Sequence, residues 1–349
     1  MSKGSTELPP RAGARQPAKA KKQKPRKKRS VWKTIFVLLF AVLILVALAL
    51  AYLVFKADEA VDQIAAPSDN EVVIPAGESV KEKAVALLLM GIDSRSHGGG
   101  LNTDVMMVAV FNPNSKSATI VTIPRDSNID VDGYRARKAN SFYADFYMNA
   151  LNKKDLDKEA AYADAKQEVR NVMSRLFNID IKYSAVINFQ GFADVVDALG
   201  GVEVDVDMRM KYRDTADGTN IDLMPGVQVL SGEKALDFVR YRKSNNGKNM
   251  SSDFERNARQ SQVIGALTDK MKSLDGVTKI GSVMEAVGKN LTMDMPSKEI
   301  KNMIAEYMSM GRNDITFIPL EGKWKSPYVY LDDAKLDEAR AALQAKMAE

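Results

Sequence analysis

Apolar residues follow strand-like spacings at the start of the chain's globular part. Val85 to Met90 is a continuous apolar run of strand length, which predicts a central strand buried on both faces. Val105 to Phe111 and Ser117 to Ile123 lie on either side of a turn at Asn112 to Ser115, and they predict two further strands. The three runs together predict a β-sheet that begins near Ala84.

Strand and helix patterns alternate further along the chain. Lys182 to Asn188 and Val202 to Val206 predict strands. Between them, Phe189 to Leu199 predicts a helix that stops at Gly200 and Gly201. Alternation of this kind is typical of an α/β domain.

The pattern ahead of this body is that of a membrane anchor. Thr34 to Phe55 is a run of 22 residues without a charge, long enough as a helix to cross a bilayer. Residues 1–30 contain eleven Lys and Arg and one acid, whereas acids follow the run at Asp58, Glu59 and Asp62. By the positive-inside rule we expect a cytoplasmic N-terminus and an extracytoplasmic body at the cell membrane.

These segments predict four regions: a basic disordered tail over 1–30, a transmembrane anchor over 31–56, a stalk over 57–83 and a domain over 84–349. A cleaved signal peptide is the alternative for the apolar run, but such a peptide has an apolar region of only about 7 to 15 residues. A DNA-binding arm is the alternative for the tail, which contains neither aromatic interleaving nor a helix-turn-helix pattern. No nucleic-acid partner is expected.

Composition restricts the chemistry. The chain has no cysteine and one histidine, His97, which excludes disulfides, thiolate zinc sites and multi-histidine metal centres. Carboxylates and carbonyls remain as metal ligands, and they favour a hard cation such as Mg²⁺ or Mn²⁺. His97 lies in a glycine loop without an evident serine partner, which disfavours a Ser/His/Asp hydrolase.

Charged residues stand where the first three predicted strands end or begin. Asp93 follows the first strand, Asp104 opens the second and Arg125 follows the third. If the second strand runs antiparallel to the others, all three side chains share one edge of the sheet. Two acids beside an arginine suit a Mg²⁺-bound phosphate, although each Asp alone is equally compatible with capping a turn.

Arginines recur in two later segments. Arg240 and Arg242 are two residues apart, so they face the same side only if the backbone there is extended. Ser252 to Glu255 is a capping-box pattern that predicts a helix reaching about Met271. On that helix Arg256, Arg259 and Gln260 share one face, which predicts either an anion site near the helix start or a solvated arginine face.

The ordered set of motifs resembles the LytR-CpsA-Psr family of membrane-anchored phosphotransferases from Gram-positive cell walls. The resemblance covers roughly Ala84 to Ile264. The matching motifs are Gly91 to Arg95, Thr103-Asp104, Ile123 to Asp126, Lys138 to Asn140, Asn188 to Phe192, Leu199 to Val202, Val239 to Arg242 and Arg256 to Gln260. The sequence departs from the family pattern at Asn102 and in the polar stretch Lys243 to Ser252.

The resemblance implies an α-β-α sandwich with a mixed central sheet and an apolar interior that accepts a polyprenyl chain. It implies Mg²⁺ at Asp93 and Asp104. It also implies pyrophosphate binding by Arg125, Arg240, Arg242 and Arg256, with Gln260 nearby and with Arg95 and Arg259 at matching positions. Arg125, Arg240 and Arg242 are the expected catalytic residues.

The implied reaction moves a glycopolymer from a polyprenyl-pyrophosphate carrier onto a peptidoglycan sugar hydroxyl, with formation of a phosphodiester. Two alternatives belong to other classes: a polyprenyl-pyrophosphate hydrolase, and a non-catalytic lipid sensor or transcription attenuator. No residue stands out as a general base. The expected partners are therefore the lipid-linked glycan, peptidoglycan and the cytoplasmic membrane.

Overall fold

The computed structural model describes residues 61–62, 65, 74–92, 100–215 and 218–349. The predicted tail and anchor lie outside these residues, as do Asp93, Arg95 and His97. Within the described part, no helix combines the length and apolarity that a membrane crossing requires.

The described body alternates strands and helices. In chain order the elements are β1 (Val85–Ile92), β2 (Thr103–Asn112), β3 (Ser117–Thr122), β4 (Asn128–Ile129), β5 (Arg137–Lys138), the 3₁₀ turn η1 (Ala139–Ser141), α1 (Phe142–Lys153), α2 (Lys158–Phe177), β6 (Tyr183–Asn188), α3 (Phe189–Ala198), β7 (Val202–Val206), β8 (Met210–Arg213), β9 (Asn220–Leu223), β10 (Gly226–Leu230), α4 (Gly232–Arg240), α5 (Asp253–Lys272), α6 (Leu274–Asn290), β11 (Leu291–Met293), α7 (Ser297–Tyr307), the 3₁₀ turn η2 (Arg312–Asp314), β12 (Ile315–Pro319), β13 (Gly322–Lys325), β14 (Tyr328–Leu331) and α8 (Asp333–Ala348).

A mixed sheet in the order β11-β6-β1-β2-β3-β12 forms the centre of the body. β1 pairs antiparallel with β2 and parallel with β6. β2 pairs antiparallel with β3, and β3 pairs parallel with β12. The α/β class, the mixed sheet and the central position of β1 are confirmed. The continuous apolar run of β1 follows from burial on both faces of the sheet.

Helices cover both faces of this sheet. On one face, alternate residues such as Leu88, Met106 and Val121 pack in a core with α1, α2 and α8. On the other face, Met107, Ala109 and Ile120 pack with partly buried Ile264 of α5, and Leu87 packs with Ile300 of α7. The period of two along each strand produces these separate cores, because successive side chains point to opposite faces.

A second core lies beside the sandwich, around the antiparallel pair β7–β10, the β8–β9 hairpin and the helices α3, α4 and α5. The turn from α3 into β7 depends on Gly201, where φ is +89° and an added Cβ would lie 2.8 Å from the carbonyl oxygen of Leu230. Only glycine fits both conditions without strain. The sequence predicted α3 and β7, but it did not predict the β8–β9 hairpin.

The C-terminal segment after Asn313, to which no element could be assigned from sequence, completes the sandwich. β12 extends the sheet beside β3, and Leu336, Ala339 and Leu343 of α8 join the main core. Between them, the β13–β14 hairpin packs beside the β4–β5 hairpin through a bridge from Ser127 to Val329.

Part of the segment predicted as a stalk packs on the body. Val61 and Val80 are buried in one cluster with Met295 and Ile300. The fully buried carboxylate of Glu299 accepts hydrogen bonds from the Val80 amide at 2.7 Å and from Ser79 Oγ at 2.9 Å. A buried carboxylate of this kind needs such donors, so the polar composition of this stretch reflects a docking contact.

Candidate active site

An open cleft of about 250 Å³ lies between the sheet edge and the second core. Its walls carry five cationic side chains and, among the described residues, one acid. The charged lining residues are Asp104, Arg125, Arg240, Arg242, Lys243 and Arg256; the others are Val105, Phe189, Tyr212, Thr219, Ile221, Val239 and Gln260. A concave site with converging cations is suited to an anionic ligand.

The sheet topology brings Asp104 and Arg125 together, as the sequence predicted. Because β2 is antiparallel to β3, the start of β2 and the residues after β3 lie at the same edge. Arg125 Nη1 donates to Asp104 Oδ1. Arg125 Nε is buried and makes no hydrogen bond in the described part of the chain, with Asp126 Oδ2 at 3.8 Å. This donor is therefore available for a ligand oxygen.

The pair Arg240 and Arg242 reaches the cleft because α4 ends between them. Arg240 is the last helical residue, and Tyr241 has φ −56° and ψ 131°, which is extended backbone. Tyr241 is fully buried, and its hydroxyl lies 2.8 Å from Ser244 Oγ. The backbone therefore has the extended geometry that joint action of the two arginines requires, and both flanking arginines line the cleft. Arg240 also stacks on the Phe189 ring, 4.6 Å from its centroid.

Helix α5 begins with the predicted capping box. Ser252 Oγ accepts from the Glu255 amide at 3.2 Å, and Glu255 Oε2 accepts from the Ser252 amide at 2.6 Å. From this fixed start, Arg256 and Gln260 point into the cleft one turn apart. Both are nearly buried, at 7% and 9% relative exposure.

Arg259 does not join them. Its guanidinium donates Nε to Asp207 Oδ1 at 2.8 Å and Nη2 to Asp207 Oδ2 at 2.7 Å, and Nη1 donates to Ser251 Oγ at 2.9 Å. Arg259 does not line the cleft. The sequence placed Arg259 with the pyrophosphate ligands because residues i, i+3 and i+4 share a helix face. In the structure, Arg256 and Gln260 on that face line the cleft, whereas Arg259 pairs with Asp207.

The cations of the cleft raise one another's electrostatic energy. Burial, with Arg242 and Arg125 nearby, lowers the pKa of Arg256 to about 9. Arg242 is exposed on the cleft wall, yet partial burial of its guanidinium and the charge of Arg125 lower its pKa as well. Asp104 and Asp126 oppose both changes without cancelling them. The groups stay protonated at neutral pH, and a bound anion would relieve their repulsion.

Several lining residues were not predicted. Tyr212 and Thr219 come from the β8–β9 hairpin, which no pattern indicated. Lys243 directly follows the Arg-Tyr-Arg motif, and this third cation in the same segment could have indicated that Lys243 also lines the site. Phe189 belongs to the motif Asn188 to Phe192, but its contact with the Arg240 guanidinium forms only in the tertiary structure.

The metal ligands Asp93 and Asp104 stay a prediction. Asp104 supplies hard oxygen ligands, which suit Mg²⁺, and Asp93 lies outside the described residues. Across the described ranges, no group of three or more acidic or histidine side chains is arranged as a metal site. Ile92 pairs with Thr103, so the chain enters the segment containing Asp93 next to Asp104.

An apolar layer adjoins the cleft. Val105 lines the cleft and also packs in the cluster of Met107, Ala109 and Ile120 on one sheet face. The outer members of this cluster are only partly buried: Leu89, Phe111, Ile264, Ile315 and Phe317. The charged mouth and the apolar face of the sheet are therefore continuous.

An α/β sandwich with a cationic cleft is typical of a protein that acts on a phosphate-containing substrate, and a family model agrees with this class. The chain belongs to the LytR_cpsA_psr family, whose model matches residues 51–345. This confirms the resemblance recognised in the motifs.

The individual relatives are transferases by name. Polyisoprenyl-teichoic acid--peptidoglycan teichoic acid transferase TagU of Oceanobacillus iheyensis is 27% identical over 337 residues, which cover 94% of this chain and 98% of TagU. The crystal structure of B. subtilis TagV has a TM-score of 0.58 at 25% identity and covers 76% of this chain and 98% of its own. The structure of TagT bound to LI-WTA has a TM-score of 0.55 at 26% identity and covers 80% of this chain and 100% of its own.

Proposed function

We propose that this protein transfers a glycopolymer, together with its attached phosphate, from a polyprenyl-pyrophosphate carrier to a sugar hydroxyl of peptidoglycan. The observation that carries the proposal is the concentration of cations in one cleft. Five cationic side chains face a single described acid there, and burial, with Arg242 and Arg125 nearby, lowers the pKa of Arg256. Such a concentration of cations is suited to a multiply charged anion.

The apolar layer next to the cleft supports a lipid-linked substrate. A polyprenyl chain that lies along the sheet face by Val105, Phe111 and Ile264 would leave its pyrophosphate at the charged mouth. The similarity to proteins named teichoic acid transferases, and to TagT bound to LI-WTA, supports the same class of donor.

In the proposed reaction, the acceptor hydroxyl oxygen attacks the phosphorus nearer the glycan. A new P–O bond forms, the bridging P–O bond to the lipid phosphate breaks, and lipid monophosphate leaves. The guanidinium groups of Arg125, Arg240 and Arg242 would hold phosphate oxygens as charge moves toward the leaving group. Planar, bidentate donors are suited to this role.

Mg²⁺ held by Asp104 and Asp93 would neutralise further charge on the pyrophosphate. The described carboxylate fits this cation by ligand type, and Asp104 is held at the cleft by Arg125. If the reaction depends on a divalent cation, EDTA will abolish turnover and added Mg²⁺ will restore it. Undiminished turnover in EDTA would remove the metal from the proposal.

The charge pattern around Thr34 to Phe55 supports a single anchor with the N-terminus in the cytoplasm and the body outside. Protease added to wall-free cells should then digest the body and spare the tail. Protection of the body would refute this orientation.

The reaction is tested with purified full-length protein in detergent, a lipid-pyrophosphate glycan and a peptidoglycan oligomer. We expect a phosphodiester-linked conjugate and release of lipid monophosphate. Hydrolysis at the same rate with or without acceptor would favour a pyrophosphate hydrolase. Binding of the lipid without either product, with Mg²⁺ present, would favour a sensor.

A further inference from the structure

A second pocket, of about 630 Å³, lies between the β13–β14 hairpin and the N-terminal end of α5. Two features place it beside the cationic cleft. Phe254, which lines this pocket, belongs to the same first turn of α5 as Arg256, on the other side of the helix. The Val329 amide of β14 donates to the Asp126 carbonyl at 2.9 Å, and Asp126 follows Arg125 in the chain. The two sites therefore share a helix and a strand connection.

The lining of this pocket combines flat apolar groups with hydrogen-bonding side chains. The lining residues are Phe254, Pro319, Glu321, Gly322, Lys323, Tyr330, Leu331, Asp332 and Asp333. Aromatic rings pack against the C–H faces of a sugar ring, and carboxylates accept hydrogen bonds from its hydroxyl and amide groups. The volume is in the range of small-molecule sites, and it leaves room for more than one sugar.

The charge of this pocket differs from that of the cleft. Three acids, Glu321, Asp332 and Asp333, line it together with one cation, Lys323, whereas cations dominate the cleft. An anionic phosphate-linked polymer is repelled by such a lining, but a chain rich in hydroxyl and amide groups is not. The pocket is thus suited to the acceptor and unsuited to the pyrophosphate donor.

The aromatic wall is presented by a well-supported hairpin. In the β13–β14 register, Lys323 lies opposite Tyr330 and Lys325 lies opposite Tyr328, so these four side chains share one face. Tyr330 is 44% exposed on that face, and its ring meets the Tyr328 ring edge-on, with 6.2 Å between the two ring centroids. On the opposite face, Val329 is buried at 3% exposure and anchors the hairpin to the body. The exposed rings are therefore held in place before any ligand arrives.

We infer that this pocket is a binding site for the glycan strand of the peptidoglycan acceptor, with Tyr330 as its stacking platform and Glu321 as a hydrogen-bond acceptor. The assignment of the bound sugar as acceptor rests on the proposed function. The site would deliver a sugar hydroxyl past the N-terminal end of α5 to the cleft that holds the donor pyrophosphate.

Saccharide binding is measured first, without turnover. Full-length protein in detergent is titrated by calorimetry with an uncharged tetrasaccharide of N-acetylglucosamine, which carries the hydroxyl and amide groups of the glycan strand without the carboxylate of free N-acetylmuramic acid. We expect saturable binding that Tyr330→Ala weakens about tenfold, the effect of losing one good ring contact, and that Glu321→Ala weakens about fivefold. Tyr162→Ala and Glu338→Ala are matched controls at exposed positions on α2 and α8, and both should bind as the unmodified protein does.

Turnover then separates this inference from the proposed function. Tyr330→Ala should raise the KM for the acceptor while leaving inorganic pyrophosphate binding unchanged. Failure of transfer, with tetrasaccharide binding that still depends on Tyr330, would overturn the proposed function and leave the saccharide site standing. Transfer with an unchanged acceptor KM in both pocket variants would overturn the site and leave the function. Absence of tetrasaccharide binding to the unmodified protein would also overturn the site.

Discussion

The arginines around the cleft differ in what holds each guanidinium. Arg125 is held by Asp104 at the sheet edge, and Arg240 lies on the Phe189 ring. Arg259 is engaged on three sides, by Asp207, by Ser251 and by the Tyr241 carbonyl. Residue type and helical spacing alone did not separate these roles, because a guanidinium reaches several neighbours from one backbone position.

The first prediction concerns lysine in place of the cleft arginines. Arg125→Lys, Arg240→Lys and Arg242→Lys should each lower the transfer rate, since an ammonium cannot bind two phosphate oxygens as a planar fork does. A charge-assisted contact of about 1.5 to 3 kcal/mol, if made fully in the transition state, corresponds to a loss of about 10- to 150-fold. Steady-state kinetics measure this effect, with exposed Arg312→Lys as the control. Unchanged rates in all three variants would mean that these arginines are structural.

The second prediction concerns Asp237 on α4. Burial, with Glu233 nearby, raises the pKa of its carboxyl group from 3.8 to about 6, although Arg240 opposes the change. Because the folded-state pKa is above the unfolded value, the folded state binds the proton more tightly. The resulting stabilisation is fully present below about pH 4 and is lost as the pH rises through about 6.

Asp237→Asn should therefore stabilise the protein near pH 8 and have little effect near pH 4. We expect a gain on the order of 1 kcal/mol after allowance for solvent screening. Thermal melts of both proteins across this pH range measure the difference. An equal difference in stability at the two pH values would contradict the assigned shift.

At the scale of elements, α5 connects the parts of the site. Its capping box fixes where the helix begins. Val263 packs in the second core, whereas Ile264 packs against the sheet. Arg256 and Gln260 face the cleft between these contacts. One helix thereby sets the position of the cationic wall relative to both cores.

The third prediction concerns the ion pair that ties α5 to the residue after β7. Arg259→Lys and Asp207→Asn should each lower the unfolding free energy by about 1 to 3 kcal/mol. The first loses the bidentate fork on Asp207, which an ammonium cannot form, and the second leaves the buried guanidinium without its counter-charge. The double variant should lose less than the sum of the two single losses. Denaturant unfolding measures all three variants.

The same ion pair should matter little for ligand binding. Arg259→Lys should bind inorganic pyrophosphate nearly as well as the unmodified protein, whereas Arg256→Lys should not. If Arg259→Lys lost pyrophosphate affinity without losing stability, its guanidinium would reach the ligand after all.

At the scale of the whole molecule, repulsion between the cations of the cleft lowers the stability of the ligand-free protein. The fourth prediction follows from this loss of stability. Inorganic pyrophosphate with Mg²⁺ should raise the Tm of full-length protein in detergent, with a stabilisation of about 2.7 kcal/mol at one hundred times the Kd. Arg256→Gln should raise the Tm of the free protein, because it removes a buried like charge, and should shrink the shift on adding pyrophosphate. A lower Tm for the free variant with an undiminished shift would contradict this account.

Some elements of the body were predictable, and the reason is local, whereas α1, α2 and the helices after α5 were not predicted. β1, α3, the Gly200-Gly201 stop and the capping box of α5 depend on periodicity, backbone freedom and end-capping within a few residues. The sequence stated only a condition for Arg240 and Arg242, that they act together if the backbone between them is extended, and the structure has that backbone at Tyr241. The short β8–β9 hairpin was missed because its strands of four residues carry little periodicity.

The sequence alone determined the α/β class, the convergence of Asp104 with Arg125 at one sheet edge, and the family. These follow from the order of the strands and of the motifs along the chain, and both orders can be read directly from the sequence. Tertiary structure alone decided that Arg259 turns to Asp207 while Arg256 turns to the cleft, and that Tyr212 and Lys243 join its wall. It also decided that the C-terminal hairpin lies beside the cleft. Such choices depend on which distant side chains meet, and the energy of a buried charge is set by those neighbours, wherever they lie in the chain.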